Sequence, residues 1–156
     1  TIYLALQNNI ILGDTHKSFT RIQTMAHECL HSIQNRRMLI FNFVFSNIYL
    51  LFYFVSIVFL VLKKVTDKML LANIFLILSF IYYVVKIYLE NDAMIRAEYL
   101  AKEYMEEQKI STQEEIEKMV IGFKNINRQC IKGTNANIFI KIMIKLIIFS
   151  VLALIF

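Results

Sequence analysis

The sequence has no proline, three isolated glycines and only two cysteines in 156 residues. Gly13, Gly122 and Gly133 are too far apart to form a loop that cradles a phosphate. Cys29 and Cys130 are too few for a disulfide scaffold and lack CxxC spacing, so each reads as a small apolar filler. Acidic residues are also scarce, 12 against 17 basic ones, which leaves a net charge of +5. That excess does not form the stripe a nucleic acid would need. Much of it sits beside apolar runs, at Arg36, Arg37, Lys63, Lys64, Lys68, Lys141 and Lys145, where flanking cations suit lipid headgroups. No nucleic-acid partner is expected; a lipid bilayer is.

What is abundant agrees with that. Hydrophobic residues make up 58% of the chain, with 13 Phe and 8 Tyr, and mean hydropathy is +0.55. Soluble domains lie nearer 45–50% apolar, so the surplus needs a solvent other than water. Residues 38–62 contain no charge at all. As a helix this run reaches about 37 Å, more than the ~30 Å hydrocarbon core. A second run spans residues 69–89 if Lys86 snorkels, and a third spans 138–156. Between the first two lies only Lys63–Lys68, so the pair reads as a helical hairpin with a basic turn. The Phe and Tyr side chains in these spans read as lipid-facing or packing residues.

The remaining segments are more polar. Residues 1–7 alternate (Ile2, Leu4, Leu6) like one short N-terminal edge strand, and residues 8–18 read as a turn-rich connection. The chain opens at Thr1 in what looks like mid-strand, which suggests a natural start that is missing or processed, and no signal peptide is visible. A helix is expected over 19–36, with Ser18 as its N-cap. In the polar stretch 90–137, Ala93, Ala97 and Ala101 recur every four residues and give one helix a smooth face. Ser111-Thr112-Gln113-Glu114 reads as a capping box opening an amphipathic helix to about Phe123.

His27-Glu28-Cys29-Leu30-His31 is an HExxH sequence on a predicted helix. Residues i and i+4 share a face, so two imidazoles can reach one tetrahedral Zn²⁺. Glu28 sits beside them, placed as general base toward a metal-activated water. Chance alone produces HExxH in roughly one chain of this length in a few hundred, so a third ligand is the corroboration to seek. Crossing arithmetic supplies one. If the hairpin spans and returns, the chain re-emerges at Glu90 on the same side as His27 and His31, and a carboxylate at a span end is costly without a partner.

The pattern His27-Glu28-x-x-His31-x-x-Gln34, two spans, then Glu90-x-Asp92-Ala93-x-x-Arg96-Ala97, resembles the YugP-type zinc metallopeptidases of bacterial membranes. It is more distantly similar to the HtpX and CAAX-prenyl-protease group of gluzincins. The resemblance covers Thr1 to about Phe123. It implies Glu90 as third zinc ligand and residues 1–7 as the edge along which substrate backbone lies. The chain departs from the pattern at Cys29, Leu30 and Ser32, where small residues are usual, and at Met94, where the HtpX-like relatives carry Asp. It also lacks the family's N-terminal span, and Asn125–Asn137 replaces an Ala-rich stretch.

Secondary candidates have competing readings. Asp92 either orients a histidine or pairs with Arg96; Arg96 either steadies an oxyanion or Glu90, or forms a structural ion pair. Gln34, one turn past His31, reads as a hydrogen-bonding neighbour, and His16 as an exposed loop side chain. The acidic group Glu103, Glu106, Glu107, Glu114, Glu115 and Glu117 reads as a solvated face.

The expectation is a mainly α, multi-pass helical protein of the cell membrane, forming a single metallopeptidase domain over 1–156 with a minimal zincin-like site. It would use Zn²⁺ held by His27, His31 and Glu90 to hydrolyse a peptide or membrane-protein substrate, with Glu28 as base. Two rivals are a non-catalytic zinc-stabilised membrane protein, closed by Asp92 or Cys29 as fourth ligand, and a membrane quality-control or assembly factor with a fortuitous motif. On orientation the signals oppose one another: three lysines favour a cytoplasmic hairpin turn, while Arg36, Arg37 and later basic residues favour the other side.

Overall fold

The computed structural model describes residues 2–4, 7, 9–11 and 21–156. Among them are two short strands, β1 (Ile2–Leu4) and β2 (Asn9–Ile11), and four helices, α1 (Arg21–Ile33), α2 (Arg36–Val61), α3 (Lys68–Glu107) and α4 (Gln113–Ile155). The proposed Ser18 cap and His16 lie outside the described residues.

Several boundaries differ from the sequence reading, each for a local reason. The segment 8–18 is not purely a connection: Asn9–Ile11 pairs antiparallel with β1, in the register Ile2↔Ile11, Tyr3↔Ile10, Leu4↔Asn9. The helix expected over 19–36 ends at Ile33, because Asn35 caps the next one. Its Oδ1 accepts the Arg37 N–H at 3.0 Å and its carbonyl accepts the Leu39 N–H at 3.1 Å. Arg36 and Arg37 therefore open α2 instead of closing α1.

α3 runs as one helix through the expected end of the second span at residue 89, starting from its N-cap Asp67, whose Oδ1 accepts the Leu70 N–H at 2.8 Å. α4 likewise runs as one helix through the expected start of the third span at residue 138. α4 continues through Gly133, a residue that costs a helix interior only about 1 kcal/mol relative to Ala.

The capping box at the start of α4 is one residue later than expected. Thr112 is the N-cap and Glu115 the N3 residue: Glu115 N–H donates to Thr112 Oγ1 at 3.4 Å and Thr112 N–H donates to Glu115 Oε2 at 3.2 Å. α2 and α3 both end in Schellman turns whose left-handed residue is a lysine. Lys63 (φ 53°) and Lys109 (φ 49°) take the position glycine usually fills.

The chain forms two compact units. The first comprises Thr1–Ile40 and Tyr88–Gly133. Its core joins Ala26 and Leu30 of α1, the row Ala93, Ala97, Ala101 and Met105 of α3, and Ile116 and Phe123 of α4. All four residues of that row are completely buried, because side chains no larger than methyl at three successive turns leave room for neighbouring helices to approach.

The second unit comprises Phe41–Ile87 and Thr134–Phe156. Its three helical segments, 41–61, 68–87 and 134–155, are each about 30 Å long, close to the thickness of a bilayer's hydrocarbon core. The parent helices α2, α3 and α4 are long and apolar enough to cross a membrane. The interior is aromatic. Phe75 stacks on Tyr49 with centroids 5.6 Å apart and meets Phe149 at 5.1 Å. Tyr49 and Ser79 hydrogen-bond at 3.0 Å, and Ser79 donates to the Phe75 carbonyl. Lys145 lies with Nζ 4.9 Å from the Tyr49 ring centroid, a cation–π contact. Outward the unit is apolar: Leu51, Phe54, Val58, Ile77 and Phe80 are each more than half exposed. Soluble monomers rarely present so much contiguous apolar surface.

Candidate metal centre

The site lies entirely within the first unit. One turn separates His27 and His31 on α1, and the rings meet edge to face with centroids 4.7 Å apart. α3 brings Glu90 to them: its Oε2 is 3.7 Å from His27 Nε2 and 3.9 Å from His31 Nε2. One donor atom from each of the three lies within 4.8 Å of the others, a grouping that could hold a metal ion. No fourth His, Cys, Asp or Glu among the described residues joins the group. Tyr3 of β1 stacks nearly parallel to His31, at 6.2 Å between centroids.

The orientation of His31 follows from its hydrogen bonds. Gln34 Nε2 donates to the Leu89 carbonyl at 2.9 Å and to Asp92 Oδ2 at 2.7 Å. With both amide hydrogens committed to acceptors, Gln34 Oε1 can only accept, and it faces His31 Nδ1 at 2.8 Å. His31 Nδ1 therefore carries a proton, which leaves Nε2, the nitrogen facing Glu90, as the one that can present a lone pair. Asp92 thus acts on the histidine through Gln34. It also pairs loosely with Arg96, 3.8 Å away and half exposed, which places Arg96 outside the cluster.

His27 is half-buried, and loss of hydration holds its pKa below the ordinary value; the adjacent His31 ring adds to this. Glu90, Glu28 and the Ala93 carbonyl pull in the opposite direction. The net effect keeps the imidazole neutral at a pH where a solvated histidine begins to protonate. The polar contact of this ring with Glu90 runs through Nε2. Glu28 lies beside the pair with only 9% of its surface exposed.

Two residues of this region went unnoticed in the sequence. Gln23, one turn before His27 on the same face of α1, donates to Asn127 Oδ1, and Asn127 donates to the Met94 carbonyl at 2.8 Å. This buried chain joins α1, α4 and α3. Gln23 at i−4 from His27 was a visible signal; its partner 104 residues away was not. Cys29 is half-buried and does not enter the donor group.

No family model, no curated protein and no solved structure matches the chain.

Proposed function

We propose that this chain is a membrane-embedded, zinc-dependent peptidase of the YugP type, with a minimal zincin-like site formed by His27, His31 and Glu90. The observation that carries the reading is the approach of three side chains, two from one turn of α1 and one 59 residues beyond His31, to within 4.8 Å.

The donor set suits zinc. Two imidazoles and a carboxylate are among its recurrent catalytic ligand sets, and three protein donors leave a fourth position open. Tetrahedral bonds of about 2.1 Å imply donor separations of about 3.4 Å. The observed 3.7 and 3.9 Å need only a small inward movement of side chains. The His31 tautomer, with its lone pair on Nε2, is the one that ligation requires. A structural site closed by Asp92 fits less well, because Asp92 already accepts from Gln34 and faces Arg96.

When bound, zinc would supply Lewis-acid polarisation of a scissile carbonyl and lower the pKa of water toward ~7. The remaining steps belong to the chain. Glu28, largely withdrawn from water, takes a proton from the attacking water and delivers it to the departing amine nitrogen as the C–N bond breaks. Asp92, through Gln34, holds His31 in position. The three apolar helices would keep the protein in the cell membrane, so that peptides or membrane-protein segments near its surface are the substrates.

The test is Glu28→Gln in the purified full chain. Zinc should remain near one per chain while cleavage of an unstructured protein such as casein is lost. Undiminished cleavage by this variant would rule out the mechanism, and a wild-type protein that binds no zinc would remove the reading altogether.

A further inference from the structure

We propose that the groove between α2 and α3 beside their connecting turn is a binding site for one anionic phospholipid. This rests on the membrane reading above but not on zinc or catalysis. The groove has a volume of about 560 Å³, within the ~300–1,000 Å³ typical of small-ligand pockets. Phe52, Val55 and Phe59 of α2 form one wall, and Leu70, Leu71 and Ile74 of α3 the other. Most of these side chains are exposed: Val55 by 41%, Phe59 by 49% and Leu70 by 57%. A cleft of this kind, open along an apolar helical surface, suits an acyl chain and not a polar solute.

The mouth of the groove determines the headgroup. Lys64 lines it, together with Thr66 and Asp67. Asp67 is the one acid there, and its Oδ1 accepts the Leu70 N–H as the N-cap of α3. Lys68, next in sequence, donates from Nζ to the Ala153 carbonyl at 3.0 Å, so its charge is anchored at the same end of the unit. Lys63, Lys64 and Lys68 against Asp67 leave this short turn at +2. The N-terminus of α3 opens here with its positive dipole end, offset by the carbonyl end of α2 beside it, so the lysine side chains carry the positive potential. The Schellman turn at Lys63 fixes the backbone leading to Lys64, whose N–H donates to the Phe59 carbonyl at 2.9 Å. An apolar slot ending in a cationic rim at the end of a bilayer-length hairpin has the form of a phosphodiester headgroup with its hydrocarbon tail.

The absence of tryptophan from the chain gives a clean assay. Phe59→Trp places a single fluorophore in the groove wall, and Phe54→Trp places one on the same helix outside it. Each full-length variant is reconstituted into vesicles containing either dibrominated phosphatidylglycerol or dibrominated phosphatidylcholine at equal mole fraction. Quenching at Phe59→Trp should show about a five-fold preference for the anionic lipid, the effect of one lysine near an anionic headgroup. Phe54→Trp should show almost none, and adding Lys64→Gln to Phe59→Trp should bring its preference close to one. Equal quenching by both lipids at Phe59→Trp, or the same preference at both positions, overturns the site and leaves ordinary surrounding lipid. Absence of quenching by either lipid at either position overturns it as well and removes the membrane reading with it. Loss of peptidase activity or zinc binding has no bearing on these outcomes.

Discussion

Replacing Gln34 by leucine tests how the candidate centre is held. The side chain is buried and leucine is of comparable bulk, though it branches one carbon earlier, so the change removes the hydrogen bonds without opening a large cavity. Three are lost: Nε2 to the Leu89 carbonyl, Nε2 to Asp92 Oδ2, and His31 Nδ1 to Oε1. Two are neutral, worth about 1 kcal/mol each net, and the one to a carboxylate is worth about 1.5–3 kcal/mol. Leucine's apolar burial returns part of this, leaving a net loss of about 2–3 kcal/mol. The functional consequence is more specific. Without an acceptor at Nδ1, His31 is free to take the other tautomer, which puts a proton on the nitrogen facing Glu90. Outer-shell partners of this kind change metal affinity by about 10–100-fold. Competition against a chromophoric chelator should therefore show zinc binding weakened by that factor. Nitrogen NMR of the metal-free protein should show His31 moving from the Nδ1–H toward the Nε2–H form. Asp92→Asn, which keeps an oxygen acceptor for Gln34, should bind zinc nearly as wild type. If Gln34→Leu kept both the wild-type affinity and the wild-type tautomer, the role assigned to the amide would be wrong.

Ala97→Leu inserts three carbons at a position with no free surface; it should destabilise the chain by about 1–3 kcal/mol, seen as a lower thermal midpoint in detergent. Lys109→Gly relieves a left-handed residue, φ 49°, and should raise stability by about 1 kcal/mol in the same assay. The Ser111 hydroxyl, then the Thr112 N–H and hydroxyl, hold the Glu115 carboxyl below its ordinary pKa. The folded form thus favours the carboxylate, so this cap contributes fully above the ordinary carboxylate range and is lost as pH falls through and below it. Amide exchange in the first turn of α4 should accelerate on acidification, and Glu115→Ala should abolish that pH dependence.

The three apolar helices were readable because charge is absent from residues 38–62 and rare in two later runs. The approach of Glu90 to the histidines was readable because i, i+4 spacing and two successive bilayer-length apolar runs constrain where a third donor can be. Helix ends were harder. Without proline, little in the sequence says where α3 or α4 stops, and polar residues such as Asn125 and Asn137 lower helix propensity by only tenths of a kcal/mol each. The break at Asn35 depends on a side-chain cap that a single asparagine does not announce. The capping box was misplaced by one residue because Ser111 and Thr112 are both competent caps with an acid three positions on. Pairings such as Gln23 with Asn127 are set by packing between distant segments, and nothing local marks them.

The row of alanines along α3 bears on any ion the proposed site would hold. Ala93 is one turn from Glu90, and the same buried cluster contains Ala26, the neighbour of His27. The gap between the imidazoles and the carboxylate is therefore gauged by methyl groups, and almost any replacement in that row can only widen it. A wider gap would carry the three donors further from the ~3.4 Å spacing that tetrahedral zinc bonds of about 2.1 Å require. Affinity for a metal would then depend on residues that never touch one.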